Sequence, residues 1–162
     1  MTSRRTAQSH LSPQSHLSAQ TQLTPGPSAP GRARAFLTET CRRWHAEDFV
    51  TDAALVVSEL VTNAVRHAGT EMRLGLELRD GMLTVRVHDH GAGLPRLIPP
   101  AERGFGGQGL AIVVQLAQAW GVAVEDDGGK AVWCRLGPRA AVPAGAGTQG
   151  SLWKGDQDIW SA

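Results

Sequence analysis

Residues 58–67 read Ser-Glu-Leu-Val-Thr-Asn-Ala-Val-Arg-His, and they lie within a helix that the sequence predicts over residues 52–68. Glu59, Asn63 and His67 recur every four residues, so a helix places their side chains along one side. The apolar residues of the stretch fall on another side, which predicts an amphipathic helix packed on a core. Periodicity alone favours an ordinary solvated face for the three polar residues.

The chemical type of Glu59 and Asn63 suggests more than a solvated face. A carboxamide oxygen beside a carboxylate suits Mg²⁺ together with a water or hydroxyl that is to be activated. Asparagine is also a poor residue for a helix interior, so its presence calls for a reason. His67 is explained equally well by a favourable interaction with the negative end of the helix dipole.

A second stretch, Asp89-His90-Gly91-Ala92-Gly93, follows directly after a predicted strand. The Asp89 carboxylate could accept a hydrogen bond from an exocyclic amine, and Gly91 and Gly93 would let a ligand approach the backbone closely. A glycine-bearing turn with a turn aspartate explains the stretch equally well.

A third stretch, residues 104–110, reads Gly-Phe-Gly-Gly-Gln-Gly-Leu and opens an apolar helix. Backbone amides at a glycine-rich helix start form a ready anion site, suited to a triphosphate. The stretch is not a Walker A motif, because no Gly-Lys-Ser/Thr follows it. It is not a dinucleotide-binding turn either, because no βαβ unit surrounds it.

The order of predicted elements indicates an α+β fold. Helices are predicted at residues 33–44, 52–68 and 110–120, and strands at residues 72–78, 82–88, 122–125 and 131–136. Asp80-Gly81 and residues 126–129 are hairpin turns. We therefore expect a mostly antiparallel sheet with helices on one face, a two-layer sandwich.

Composition sets the limits of this domain. Residues 1–28 are polar, show no apolar period and are predicted to be a disordered tail, and residues 138–162 a flexible one. The ordered domain is expected at residues 29–137.

Charge and cysteine content exclude several classes of function. Sixteen Lys and Arg against fifteen Asp and Glu give a net charge of +1, so we expect no direct nucleic-acid or membrane partner. Cys41 and Cys134 lack the spacing of a zinc site or a disulfide framework, and are predicted to be reduced thiols. No apolar run spans a bilayer and no secretory signal is evident, so we expect a cytoplasmic protein.

In this order and spacing, the three stretches resemble the nucleotide-binding boxes of the GHKL (Bergerat-fold) superfamily of ATPases and kinases. Residues 59–64 resemble the N-box, Asp89-x-Gly-x-Gly the first glycine box, and Gly107-x-Gly-Leu the second. The resemblance covers residues 29–136. The short lid between the boxes is similar to that of the bacterial anti-sigma-factor serine/threonine kinases.

The resemblance implies ATP and Mg²⁺ as cofactors. Asn63 would ligate Mg²⁺, Glu59 would orient or deprotonate the acceptor hydroxyl, and Asp89 would bind the adenine amino group. The remaining nucleotide-binding candidates are Gly91 and Gly93 at the adenine pocket and lid, Gly107, Gly109 and Leu110 at the phosphates, and His67 at no particular part of the nucleotide.

Two residues depart from the family pattern. His90 stands where an acidic or small polar residue is common, and Gln108 stands where many relatives of this branch carry arginine. Loss of that cation would weaken compensation of the phosphate charge.

The implied function is phosphorylation of a small antagonist protein on serine, with a sigma factor as second partner. A homodimer is also implied, with Phe36 and Trp44 as our choice of apolar anchors. Two alternatives stay open. One is a binding module that holds ATP without transferring phosphate, and the other is the catalytic piece of a two-component histidine kinase.

Overall fold

The computed structural model describes residues 16–93 and 109–138. This part of the chain contains three α-helices and five strands. The helices are α1 (Ala29–Arg43), α2 (Val50–His67) and α3 (Gly109–Leu116), with a short 3-10 turn at Glu47–Phe49 before α2. The strands are β1 (Leu17–Leu23), β2 (Met72–Arg79), β3 (Met82–Asp89), β4 (Ala119–Val124) and β5 (Lys130–Leu136).

The five strands form one sheet in the order β1-β2-β3-β5-β4, and every neighbouring pair is antiparallel. The predicted turn between β2 and β3 is confirmed, with Asp80 at φ 52° and Gly81 at φ 71°. Two successive positive φ values match the twist of a two-residue hairpin. The α+β class and the antiparallel sheet predicted from the sequence are therefore confirmed.

The core lies between the helices and one face of the sheet. Alternate residues of the central strands face inward, and Leu74, Leu76 and Val85 are at most 1% exposed. Val57 and Val61 of α2 are fully buried against them. Full burial of one such side chain stabilises the fold by about 1.5–3 kcal/mol, so this layer contact holds α2 firmly on the sheet.

Strand β1 corrects the prediction that residues 1–28 lack structure. Leu17, Ala19, Thr21 and Leu23 alternate with polar residues, and the strand pairs with β2 along its whole length. One face of an edge strand is solvated, so its outward residues can all be polar. Two of the inward residues, Ala19 and Thr21, are small or polar, so the period of two carries little apolar signal in the sequence. Residues 1–15 lie outside the described residues, as does the predicted tail beyond Pro138.

The predicted helix over residues 110–120 is also too long. Helix α3 ends at Leu116, and the Gln118 amide donates a hydrogen bond to the Arg135 carbonyl, 2.9 Å away. Strand β4 starts at Ala119. The apolar run continues from helix into strand without a glycine or proline, so the sequence gives no signal of the boundary.

Both cysteines are free, as predicted, and both are fully buried. Burial raises the pKa of the Cys41 thiol to about 11 and that of the Cys134 thiol to about 12. These thiols are therefore protonated at neutral pH and act as small apolar groups of the core.

Candidate functional site

The first and third stretches meet where α3 begins beside α2. Gly109 is the first residue of α3, and a Cβ built on it would overlap the Glu59 carboxylate. Glu59 thus lies directly against the start of α3, where unpaired backbone amides favour a negative group. A residue with a side chain at position 109 would push the Glu59 carboxylate away.

The second stretch meets the C-terminal end of α2. A Cβ on Gly91 would lie 2.6 Å from the Ala68 Cβ and 2.7 Å from its Cα. Glycine is required here because the loop after β3 packs on the last turn of α2 with no room for a side chain. The three stretches are therefore arranged along α2, with Glu59 near one loop and Ala68 near the other.

Asp89 is buried at the end of β3 and has two partners. Its Oδ1 accepts a hydrogen bond from the Gly91 amide at 2.8 Å and one from Lys130 Nζ at 2.5 Å. Lys130 Nζ also donates to the Gly91 carbonyl at 2.8 Å. Asp89 is 3% exposed and Lys130 7% exposed, so the two form a buried ion pair.

Sequence reasoning missed Lys130. It lies 41 residues from Asp89, and only the register of β3 against β5 makes the two residues neighbours. A lysine at the start of an apolar strand was the one available signal, because a lysine is buried only when it is paired. Its presence means that the carboxylate expected to bind an adenine amine already holds a cation.

The other predicted residues are less closely grouped. Asn63 is partly buried on α2, one turn after Glu59, whereas His67 is exposed at the helix end. Gly93 is exposed, and a Cβ on it would have no heavy atom of the described residues within 4 Å. Leu110 packs its side chain in the core, which leaves only its backbone for a ligand. Gly107 and Gln108 lie outside the described residues.

A family model described as a histidine kinase-like ATPase domain matches residues 23–136, most of the chain. The chain belongs to the histidine kinase-like ATPase family. No match was found among curated proteins.

A solved structure of the RsbU and RsbW domains of Rv1364c from Mycobacterium tuberculosis is similar, with a TM-score of 0.52 and 22% sequence identity. The alignment covers 75% of this chain and 32% of that one. This chain therefore spans about a third of the length of the solved chain, and the similarity is one of fold.

The described residues of this ATPase domain fit the ATP and Mg²⁺ that the family implies. Gly91 and Gly109 lie at close approaches that a Cβ would fill, Gly109 beside the middle of α2 at Glu59 and Gly91 beside its C-terminal end at Ala68. Glu59 and Asn63 supply carboxylate and amide oxygens, the hard ligands that Mg²⁺ prefers. Among residues 16–93 and 109–138 there is no helix long and apolar enough to cross a membrane.

Proposed function

We propose that this protein is an ATP-dependent anti-sigma factor with serine/threonine kinase activity, acting on a small antagonist protein. The observation that carries the proposal is the position of Glu59 against Gly109, at the start of α3. A potential base thus lies beside the backbone amides that we propose bind a phosphate group. The fold similarity to a chain containing an RsbW domain agrees with this proposal.

In the proposed reaction each residue has one task. Glu59 orients the acceptor serine hydroxyl and takes its proton as the phosphoryl group moves. Asn63 ligates Mg²⁺, which neutralises charge on the phosphates when it is bound. The amides at Gly107, Gly109 and Leu110 donate to phosphate oxygens.

We propose that Asp89 recognises the adenine amino group, with Gly91 and Gly93 shaping the pocket and His67 as a further nucleotide-binding candidate. Lys130 Nζ already donates to Asp89 Oδ1. An incoming amine therefore shares the carboxylate with the lysine or displaces it.

Single-turnover transfer of labelled phosphate to a purified antagonist protein tests the proposal, alongside an ATP-binding isotherm. Glu59→Gln keeps the size of the side chain and removes its basicity. General-base assistance is worth about 10²–10⁴-fold in rate, so we expect transfer to fall by that factor while ATP affinity stays nearly unchanged. Asn63→Ala should instead remove the Mg²⁺-dependent part of ATP binding, because a methyl group cannot ligate the cation.

Glu47→Gln is the matched control, because Glu47 is an exposed glutamate just before α2 and undergoes the same change of charge. It should transfer phosphate like the wild type. Equal transfer by the wild type and Glu59→Gln would show that Glu59 belongs to a solvated face. ATP binding without transfer by any form would support a module that binds but does not phosphorylate.

The partner proteins, the homodimer and the cytoplasmic location remain predictions. Phe36 and Trp44, suggested as dimer anchors, are partly buried against the protein's own core. Each therefore has only part of its side chain available to a second copy. Light scattering at tens of micromolar protein would detect the dimer, and a monomer mass would count against it.

A further inference from the structure

Two histidines lie beside Asp89 on the opposite face of the sheet. Successive strand residues point to opposite faces, so His88 lies on the side of β3 that Asp89 does not, and the ring of His90, the first residue after β3, contacts that of His88. Their rings stand 4.9 Å apart and nearly perpendicular, at 89°. The His88 side chain is 8% exposed and that of His90 49% exposed, so one ring is buried and the other faces solvent.

The turn between β4 and β5 places Asp127 beside both rings. The Gly129 amide donates to Asp127 Oδ1 at 2.9 Å, and the Glu125 amide donates to the Gly129 carbonyl at 2.9 Å. Glu125 also forms an ion pair with Arg86 of β3. The turn is thus fixed internally and tied to the strand that carries His88.

Gly129 makes room for the His88 ring. A Cβ on Gly129 would lie 2.5 Å from His88 Nε2 and 2.9 Å from its Cε1. The positive φ that the turn needs is supplied by Gly128 at 78°, and Gly129 has no positive φ. Gly129 is therefore needed because the His88 imidazole lies close to its backbone, and not because the turn requires a positive φ at this position.

The three side chains have the spacing of ligands around one ion. Asp127 carboxylate oxygens lie 3.3 Å from His88 Nε2 and 3.3 Å from His90 Nε2. Ligand atoms bound tetrahedrally to Zn²⁺ at about 2.0–2.1 Å are separated by about 3.3–3.4 Å. His88 Nε2 and Asp127 Oδ1 also form a hydrogen bond of 3.3 Å, which is longer than the usual N–H···O distance of about 2.7–3.2 Å and which a bound ion would replace. All three ligand atoms lie within 4.8 Å of one another.

We propose that His88, His90 and Asp127 form a binding site for a transition-metal ion of the zinc type, on the face of the sheet opposite the nucleotide site. Two imidazoles and one carboxylate suit Zn²⁺, Co²⁺ or Ni²⁺, whereas Mg²⁺ prefers oxygen ligands throughout. The exposure of His90 and Asp127 gives the ion a path from solvent and leaves a fourth position for water.

The test is a titration of the full chain, free of any affinity tag, chelator-treated and without nucleotide. Co²⁺ serves as the probe, because its visible absorption reports tetrahedral coordination. Zn²⁺ is then added and should displace the bound Co²⁺. We expect one ion per chain. His90→Asn and Asp127→Asn should each weaken binding at least about 10-fold, since each removes a ligand. Asn at position 127 can still accept the Gly129 amide, so the turn is kept.

His45→Asn is the matched control. His45 is an exposed histidine after α1 at φ 54°, a conformation that asparagine tolerates. It should bind Co²⁺ like the wild type, and thermal melting should confirm that all three variants fold. If the wild type binds no Co²⁺ at a concentration about 100 times a Kd in the micromolar range, the proposal is overturned. Equal binding by the wild type, His90→Asn and Asp127→Asn would also overturn it, because the ion would then lie elsewhere.

Discussion

The last residues of β3 present two different environments on the two faces of one strand. On the helix-covered face, Asp89 is 3% exposed and pairs with Lys130 at 2.5 Å. On the other face, His90 and Asp127 are about half exposed, and their nearest atoms are 3.3 Å apart. The hairpin of β4 and β5 supplies the partner in both cases, because Lys130 begins β5 and Asp127 lies in the turn before it.

The difference is one of solvent. A buried pair has lost its hydration, so each charge depends on the other and breaking the pair leaves an uncompensated ion. A half-exposed pair keeps water as an alternative partner and contributes little to stability. We therefore expect the covered face to govern folding and nucleotide recognition, and the outer face to tolerate change.

Of the changes considered, Lys130→Met on the helix-covered face should lower the free energy of unfolding most. It leaves the Asp89 carboxylate buried with no cation, which costs about 3–5 kcal/mol of the free energy of unfolding. Chemical denaturation without nucleotide measures this loss. The double variant Asp89→Asn, Lys130→Met should recover much of it, because no unpaired charge remains. Equal stability of Lys130→Met and the wild type would contradict the assignment of a buried ion pair.

Gly91→Ala should have the next largest effect. Its methyl group would lie within 2.7 Å of Ala68, part of which is backbone and cannot rotate away. Overpacking of this kind costs about 1–3 kcal/mol, and it should also weaken ATP binding by moving the loop. Gly93→Ala is the control, because nothing described lies near its Cβ, and it should change stability by less than about 0.5 kcal/mol. Similar melting temperatures for both variants would refute the close packing.

Asp127→Asn should change least when no metal is present. Its side chain is 45% exposed, and asparagine preserves the hydrogen bond from Gly129. We expect a change in unfolding free energy within about 0.5 kcal/mol in chelator. A loss of unfolding free energy as large as that of Lys130→Met would contradict this prediction, because the two faces would then be equally sensitive to a change of charge.

Local chemistry made most of the fold predictable. Asp80-Gly81 has the residue types that a two-residue hairpin demands, and the periodicity of α2 separated its buried and solvated sides. The errors arose where local signals were weak. The weakly apolar inward residues Ala19 and Thr21 concealed β1, and an apolar run without glycine or proline concealed the junction between α3 and β4.

The candidate site was predictable only in part, for a different reason. Residue type made Glu59, Asn63 and Asp89 candidates, and the order and spacing of their stretches, which resemble the boxes of one family, favoured the functional interpretation. Lys130 and Asp127 could not be found in this way. Both lie about 40 residues from their partners, and only the pairing of β3 with β5 brings them close. Register between distant strands is a tertiary property that local patterns do not encode.

The Lys130–Asp89 pair also changes how a ligand would enter the proposed nucleotide site. An amine-bearing base would meet a carboxylate that already accepts a hydrogen bond from an internal ammonium group, and it would either share the carboxylate with that group or displace it. The affinity for such a base would then depend on the difference between the free energies with which the base and Lys130 bind the same carboxylate. A base without an exocyclic amino group cannot donate a hydrogen bond to Asp89 in place of the lysine. We therefore expect the ion pair to favour nucleobases that carry an amino group over those that do not.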